Sequence, residues 1–370
     1  MGQHSSFKVG RRGFAISSAA LLLGLAFGLQ GAALAAGTEG KVSAKPTRST
    51  KLYDYYLMGH GGDVAPDAPG TPLLVLMGGG LDVDSAFKSM INKAATGGNK
   101  VDVVVIRVTG ADGYNDYLYN QLYTAPGEVK PIDSVETLVI KSRAGADDAT
   151  VNAIVARADV LFIAGGDQWD YINLWKRSRL DITLQGLKAR KVPMGGTSAG
   201  LAVMGDFDFS AQNGTITSEQ ALANPYDRRE TLDTGFITGL TGLADTITDS
   251  HLVTRDRMGR LVSFLARIVD NKGWRASPGR ARGIGLDENT ALVVDDGKAE
   301  VHGGGAAYFV QPQVAATVLQ PKKPLEIYGV RVDKGLPGIA NFDLLTWTCT
   351  DCTSTTFVDA LGGALTSYPY

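Results

Sequence analysis

The chain has 370 residues, 44% of them hydrophobic and 20% charged, which excludes a disordered, fibrous or multispan membrane protein and leaves room for a sizeable core. Its 36 Lys and Arg stand against 38 Asp and Glu, a formal charge of −2, so no whole-protein field draws in nucleic acid or an anionic membrane. Electrostatic recognition has to be local.

The N-terminal text differs from the rest. Arg11 and Arg12 precede an apolar run from Phe14 to Leu29, followed by Ala33-Leu34-Ala35. This is the order of a charged region, an apolar region and a small-x-small cleavage site, and the run is short and rich in Ala and Gly for a ~30 Å hydrocarbon core. The expectation is a signal peptide over 1–35, cut after Ala35, giving a periplasmic or extracellular protein with no stable membrane anchor. The paired arginines before Gly13-Phe14 also resemble a twin-arginine signal. Residues 36–50 are polar and read as a linker.

Beyond the linker, short apolar runs alternate with helical periodicity, the pattern of an α/β domain around a mostly parallel sheet. The runs 73–77, 101–108 and 160–164 each stop at a Gly-bearing loop: Gly78-Gly79-Gly80, Thr109-Gly110 and Gly165-Gly166. Between them the spacing predicts helices over 84–94, 148–157 and 170–177, and a strongly periodic one over 256–270, whose Met258, Leu261, Val262, Leu265, Ile268 and Val269 form one apolar face. From Gly283 onward, runs at 291–294, 307–310 and 325–332 predict antiparallel strands closing one edge. The organisation expected is one domain over 51–345 with a C-terminal extension over 346–370. That extension carries the only two cysteines, Cys349 and Cys352; in an exported chain they read as a small structural disulfide, because strand or loop surrounds them rather than the helix of a redox C-x-x-C, and no second Cys/His pair stands at zinc spacing.

The sharpest motif is Gly196-Thr197-Ser198-Ala199-Gly200, a G-x-S-x-G placed where an apolar strand turns into an apolar helix. Glycines on both sides let strand and helix approach while a strained turn presents the hydroxyl at the sheet's C-terminal edge. Neither a Walker loop nor a dinucleotide loop fits, for want of a Lys-Ser/Thr pair and of G-x-G-x-x-G spacing. A serine nucleophile needs a base, worth roughly 10²–10⁴-fold. After the signal only His60, His251 and His302 remain, and His251, following Thr246-Ile247-Thr248-Asp249-Ser250, is best placed at a strand's end. The carboxylate that orients the imidazole is either Asp287 or Glu288, which the residues alone leave open.

Taken together, Gly165-Gly166-Asp167-Gln168, the Ser198 elbow, Asp249-x-His251 with Arg255, Arg257 and Arg260, and Gly283-Ile284-Gly285-Leu286-Asp287-Glu288-Asn289-Thr290-Ala291 resemble the cyanophycinase family. The resemblance spans roughly residues 73–295. It implies a flavodoxin-like three-layer sandwich related to class I glutamine amidotransferases, no cofactor or metal, and a Ser198, His251, Glu288 triad. Backbone N–H groups of Gly166, Asp167 and Ala199 would form the oxyanion hole. The implied substrate is cyanophycin, a polyaspartate whose β-carboxyls carry arginine, released as β-aspartyl-arginine. Such a substrate needs cations for its carboxylates, for which Arg255, Arg257 and Arg260 stand ready, and an acid or amide for guanidinium, as Asp249 and Gln168 would supply. Three arginines at a helix start oppose the helix dipole, which favours a binding role. Family members commonly carry Gln where Ser250 stands, so the substrate contact there differs. The sequence leaves a homodimer open, and two other readings stand beside cyanophycin hydrolysis: an aspartyl or isoaspartyl dipeptidase, and a non-catalytic periplasmic binding protein.

Overall fold

The computed structural model describes residues 45–61, 70–271, 274, 276–338 and 341–370; the expected signal peptide and most of the linker lie outside them. Five parallel strands form the centre of the larger sheet: Leu73–Met77, Val101–Arg107, Ile132–Ile140, Val160–Ile163 and Met194–Thr197. Numbered in chain order they lie side by side as third, second, fourth, fifth, first. The side chains of Val101–Arg107 alternate between two apolar layers. Val103 and Val105 join Phe87, Tyr114 and Phe162 on one face, while Val104 and Ile106 join Val151, Leu161, Tyr171 and Trp175 on the other. Helices Asp84–Ala94 and Gly113–Asp116 cover the first face, and Ala149–Ala156, Gln168–Trp175 and Arg179–Ala189 cover the second. This is the three-layer, flavodoxin-like α/β arrangement, with continuous apolar strands because both faces are covered.

The expected helix over 84–94 is present with those bounds, and Asp148 caps Ala149–Ala156 by accepting from the N–H groups of Thr150 and Val151. The C-terminal antiparallel strands divide between two sheets rather than closing one edge. Thr290–Asp295 pairs with Leu73–Met77 and extends the large sheet through Lys298–Gly303. Arg282–Leu286, just before it, pairs instead with Thr246–Asp249 and Ala307–Pro312 in a second sheet, which continues through Ile327–Gly335 and Ser354–Leu361. Apolar periodicity locates a strand but carries no information about its partner, so this division was not readable from the pattern. The stretch after residue 346 is built into both sheets, with Cys349 and Cys352 joined as a disulfide.

The helix Met258–Asp270 lays Leu261, Phe264, Leu265 and Ile268 into the core of the second sheet. Arg260, only 2% exposed, lies on the same helix. Its guanidinium makes a two-pronged ion pair with Asp249, Nε to Oδ2 at 2.7 Å and Nη2 to Oδ1 at 2.5 Å, and lies against the rings of Phe209 and Phe264. A second buried ionisable group has no such partner. Phe207 and Phe209 face the same core, so Asp208 between them points to the opposite side of the strand Phe207–Phe209, fully buried, with neither carboxylate oxygen hydrogen-bonded. Burial pushes its pKa well above the carboxylate range, against the pull of Lys176.

The buried ion pair and the buried carboxyl should respond differently to substitution. Removing one partner of a buried ion pair strands the other, at a cost of about 3–5 kcal/mol; Arg260→Met should therefore lower the unfolding free energy by that amount in denaturant titrations. For Asp208 the folded pKa is raised, so its contribution is fully present below the unfolded pKa and is lost as pH rises towards the folded one. The Tm of Asp208→Asn should therefore gain on wild type as pH rises above about 4, and a pH-independent difference would contradict a buried neutral carboxyl.

Candidate active site

Ser198 stands between the strand Met194–Thr197 and the short helix Ala199–Ala202 with φ 53° and ψ −113°, a region L-residues avoid at a cost of about 1–3 kcal/mol. The turn is held from both sides. The Ser198 N–H donates to the Met77 carbonyl at 3.1 Å, and the helix approaches so closely that a Cβ at Gly200 would lie 2.1 Å from the Ile163 carbonyl oxygen. The second glycine of G-x-S-x-G is thus demanded by the neighbouring strand.

His251 follows the strand Thr246–Asp249, also at positive φ (52°), and its N–H donates to the Gly78 carbonyl at 2.9 Å. Its Nε2 lies 2.8 Å from Ser198 Oγ, and its Nδ1 lies 2.5 Å from Glu288 Oε1. A carboxylate only accepts, so Nδ1 carries the proton and Nε2 turns its lone pair to the hydroxyl. The residue is 3% exposed. Burial pushes its pKa down to about 4; the positive charges of Arg255 and Arg257 act in the same direction, and Glu288 opposes them. The ring is therefore neutral across the ordinary pH range.

Glu288 occupies the turn where the chain leaves the second sheet at Leu286 and enters the first at Thr290. Asp287 is committed elsewhere, accepting from the N–H groups of Val253 (3.3 Å) and Ala306 (3.1 Å), so the choice left open by the sequence falls on Glu288 by geometry. Two positions that sequence reasoning did not single out hold this turn in place. The N–H of Asn289 donates to the Gly79 carbonyl, and its side-chain oxygen accepts from the Leu81 N–H at 2.5 Å. Gly79, at φ 93°, lies flat against the imidazole; a Cβ there would come within 2.3 Å of His251 Cε1. The signal available was the Gly78-Gly79-Gly80 run ending an apolar strand at the same sheet edge as the elbow.

Ala199 opens the helix after Ser198. Gly166 and Asp167 follow the strand Val160–Ile163, whose end, at the carbonyls of Ile163 and Ala164, packs against Gly200. The Tyr171 hydroxyl lies 2.9 Å from the carbonyl oxygens of both Ala164 and Gly165 and fixes this loop from below. The Asp167 side chain caps the helix Gln168–Trp175 by accepting from the Trp169 N–H.

The expected substrate-binding set is divided by the structure. Asp249 (3% exposed) and Arg260 answer each other, so neither is free for an incoming group; this corrects their assignment to substrate, because a buried charge takes the nearest opposite charge in the fold. The Gln168 amide donates to the Phe209 carbonyl at 3.2 Å and ties two elements together. Ser250 is buried, with its N–H on Asp249 and its carbonyl accepting from Arg257 Nη1 at 2.8 Å. That Nη1 also lies 3.6 Å from Asp249, a carboxylate already matched by Arg260. Arg257 is thus half buried among like charges: burial, then Arg260, lower its pKa to about 9, with Arg255 acting the same way. Arg255 is exposed directly after the base. Of the three arginines, Arg255 is exposed and Arg257 has only a 3.6 Å contact with a carboxylate that Arg260 already pairs. Of the other histidines, His302 pairs with Ser85 and His60 lies exposed. Among the described residues no cluster of three or more His, Cys, Asp or Glu is placed to hold a metal ion.

Comparison with known proteins adds an independent line. Residues 134–302 match the profile of Peptidase family S51. A cyanophycinase of Trichormus variabilis is 29% identical over 206 residues, 54% of this chain and 62% of that protein, and one of Synechococcus elongatus is 27% identical over 221 residues, 58% and 61% respectively. The chain thus spans about three-fifths of the length of these curated relatives. A crystal structure of a peptidase from an acI-B1 Actinobacterium aligns with TM-score 0.47 and 16% identity, covering 75% of this chain and 98% of that one. The segment 134–302, which contains Ser198, His251 and Glu288, is similar to peptidase family S51, and the cyanophycinase relatives support a cyanophycinase-like peptidase of that family.

Proposed function

We propose that the protein is a serine peptidase acting on cyanophycin, the arginyl-polyaspartate, and releasing β-aspartyl-arginine outside the cytoplasm. The observation that carries this reading is the hydrogen-bonded run from Ser198 Oγ through His251 to Glu288, at 2.8 and 2.5 Å, with a neutral imidazole at its centre.

In the first half-reaction Ser198 Oγ attacks the scissile carbonyl carbon while His251 Nε2 takes its proton. Glu288 accepts the Nδ1 hydrogen bond throughout and stabilises the imidazolium that forms. The tetrahedral oxyanion falls to the backbone N–H of Ala199 and to those of the Gly166-Asp167 loop, donors that are worth on the order of 10²–10³ in rate each. Collapse expels the amine, which leaves with the proton from His251, and an acyl ester remains on Ser198. Water, deprotonated by the same nitrogen, then attacks the ester and frees the acid. Arg255, exposed beside the base, and Arg257, turned among like charges, supply cations for the carboxylates of the polymer.

Incubation with insoluble cyanophycin should yield β-aspartyl-arginine from wild type, with Ser198→Ala slower by about 10⁴- to 10⁶-fold. Cleavage of α-aspartyl or isoaspartyl dipeptides with cyanophycin untouched would move the assignment to a dipeptidase. Folded protein that neither cleaves any of these nor takes a fluorophosphonate label on Ser198 would point to a binding protein. The pH profile gives a second check. Protonation of His251 removes the base, so kcat/KM should fall on the acid side near pH 4 rather than near the usual histidine value. Because the Arg255 charge helps depress that pKa, Arg255→Ala should move the acid limb to higher pH.

A further inference from the structure

The crevice at the carboxyl ends of a doubly wound sheet lies where successive connections run in opposite directions, and there ligands of such folds bind. In this sheet the chain leaves Val101–Arg107 for Ile132–Ile140 on one side and then crosses to Val160–Ile163 on the other. The last residue of the strand at this switch point is Arg107, beside the loop Gly165-Gly166-Asp167 that follows the adjoining strand.

The Arg107 guanidinium is fixed but not neutralised. Its Nη1 donates to the Ala111 carbonyl at 3.2 Å, and Gly110, at φ 95°, lies so close that a Cβ would come within 2.4 Å of Nη2. Its Nε is buried and meets no acceptor, and among the described residues no carboxylate forms an ion pair with it. The charge sits between two sets of neighbours. On one side its field reaches the hydroxyl of Tyr171, the residue under Gly166. On the other it reaches Asp82, which follows the Gly78-Gly79-Gly80 loop packed on His251 and takes a 3.3 Å hydrogen bond from Tyr114. Burial pushes the Asp82 pKa up to about 7, Asp84 adds to this, and the Tyr114 hydrogen bond and the Arg107 charge pull the other way; among the described residues no ion pair joins Asp82 to Arg107. Nη2, by contrast, is not among the buried atoms and makes no hydrogen bond within the described residues, so it is the donor that an anionic ligand group would match.

We propose that Arg107 and Asp82 form a second recognition subsite of this active site, which takes a zwitterionic unit of the substrate with its carboxylate on Arg107 and its cationic end towards Asp82. This rests on the reading of the site as an aspartyl-arginine peptidase, and it assigns a specificity role to residues outside the motifs that marked the triad. A separated pair of opposite charges suits a ligand carrying both signs, as every β-aspartyl-arginine unit does.

The test measures binding, so that it does not depend on turnover. In the Ser198→Ala background, calorimetry with β-aspartyl-arginine should show Arg107→Met weakening binding about ten- to a hundredfold, the span expected for a charge-assisted hydrogen bond, with Arg107→Lys falling between. The same dipeptide with its carboxylates amidated should bind the parent and the Arg107→Met variant alike. Asp82→Asn should weaken binding of the dipeptide but not of an analogue lacking the cationic groups. Equal affinity of Arg107→Met and its parent for the free dipeptide would overturn the subsite, as would failure of the Ser198→Ala parent to bind it. Hydrolysis of cyanophycin by the Ser198-bearing protein is followed separately, so loss of the subsite leaves the proposed activity standing if β-aspartyl-arginine still appears. Circular dichroism and the Tm of Arg107→Lys guard against a mere folding defect.

Discussion

The positive φ of Ser198 is the constraint around which the molecule is arranged. A residue with a Cβ remains there only when its surroundings over-determine it, and three parts of the chain do so. The end of Leu73–Met77 takes the Ser198 N–H on the Met77 carbonyl, the end of Val160–Ile163 lies against Gly200, and the second sheet reaches across through Thr248, whose hydroxyl donates to the Leu201 carbonyl at 2.8 Å. Pulling any one away would let the turn relax and swing the hydroxyl from the imidazole.

The two sheets meet around that turn. Ser198 comes from the large sheet, His251 from the second, and Glu288 from the passage between them, so the run from Ser198 Oγ to Glu288 Oε1 is also a tie across the seam. The Gly78-Gly79 backbone closes it further, accepting from the N–H groups of His251 and Asn289. Backbone hydrogen bonds leave little side-chain freedom to lose, which is how a neutral, almost fully buried imidazole is kept in one orientation. The same burial that lowers the His251 pKa leaves Nε2 with a lone pair able to accept a proton at neutral pH. Charges are sorted by the same packing: Arg260 and Asp249 cancel inside the fold, while Arg255 stays exposed and Arg257 is held on the Ser250 carbonyl.

Much of the α/β core was legible because its signals are local. The helix over 84–94 follows a 3.6-residue period, Asp148 is a capping residue directly before an apolar stretch, and the run at 73–77 is bounded by three glycines. The elbow was legible for the same reason, since Gly196, Ser198 and Gly200 report a backbone problem solved within a few residues. His251 emerged from a short list of histidines. The strands Tyr53–Gly59 and Ile132–Ile140 were not singled out, because mixed polar residues such as Asp54, Ser134 and Glu136 break their apolar pattern; buried partners across the sheet, including the Tyr55 hydroxyl on Glu136 at 2.6 Å, replace it.

By itself the sequence determined the order of the elements, the strained serine turn with its glycines, and a set of charged residues close to the base in the chain. Tertiary structure alone decided which charges remain available. Asp287 and Glu288 are chemical equivalents one residue apart, yet the passage between sheets turns one to the backbone of Val253 and Ala306 and the other to His251. Arg260 and Arg257 share a motif, but the helix Met258–Asp270 carries the first inward to Asp249 and leaves the second, at its N-cap, on the Ser250 carbonyl. Pairing is a property of distance, and distance between residues far apart in the chain is set by packing that no local pattern encodes.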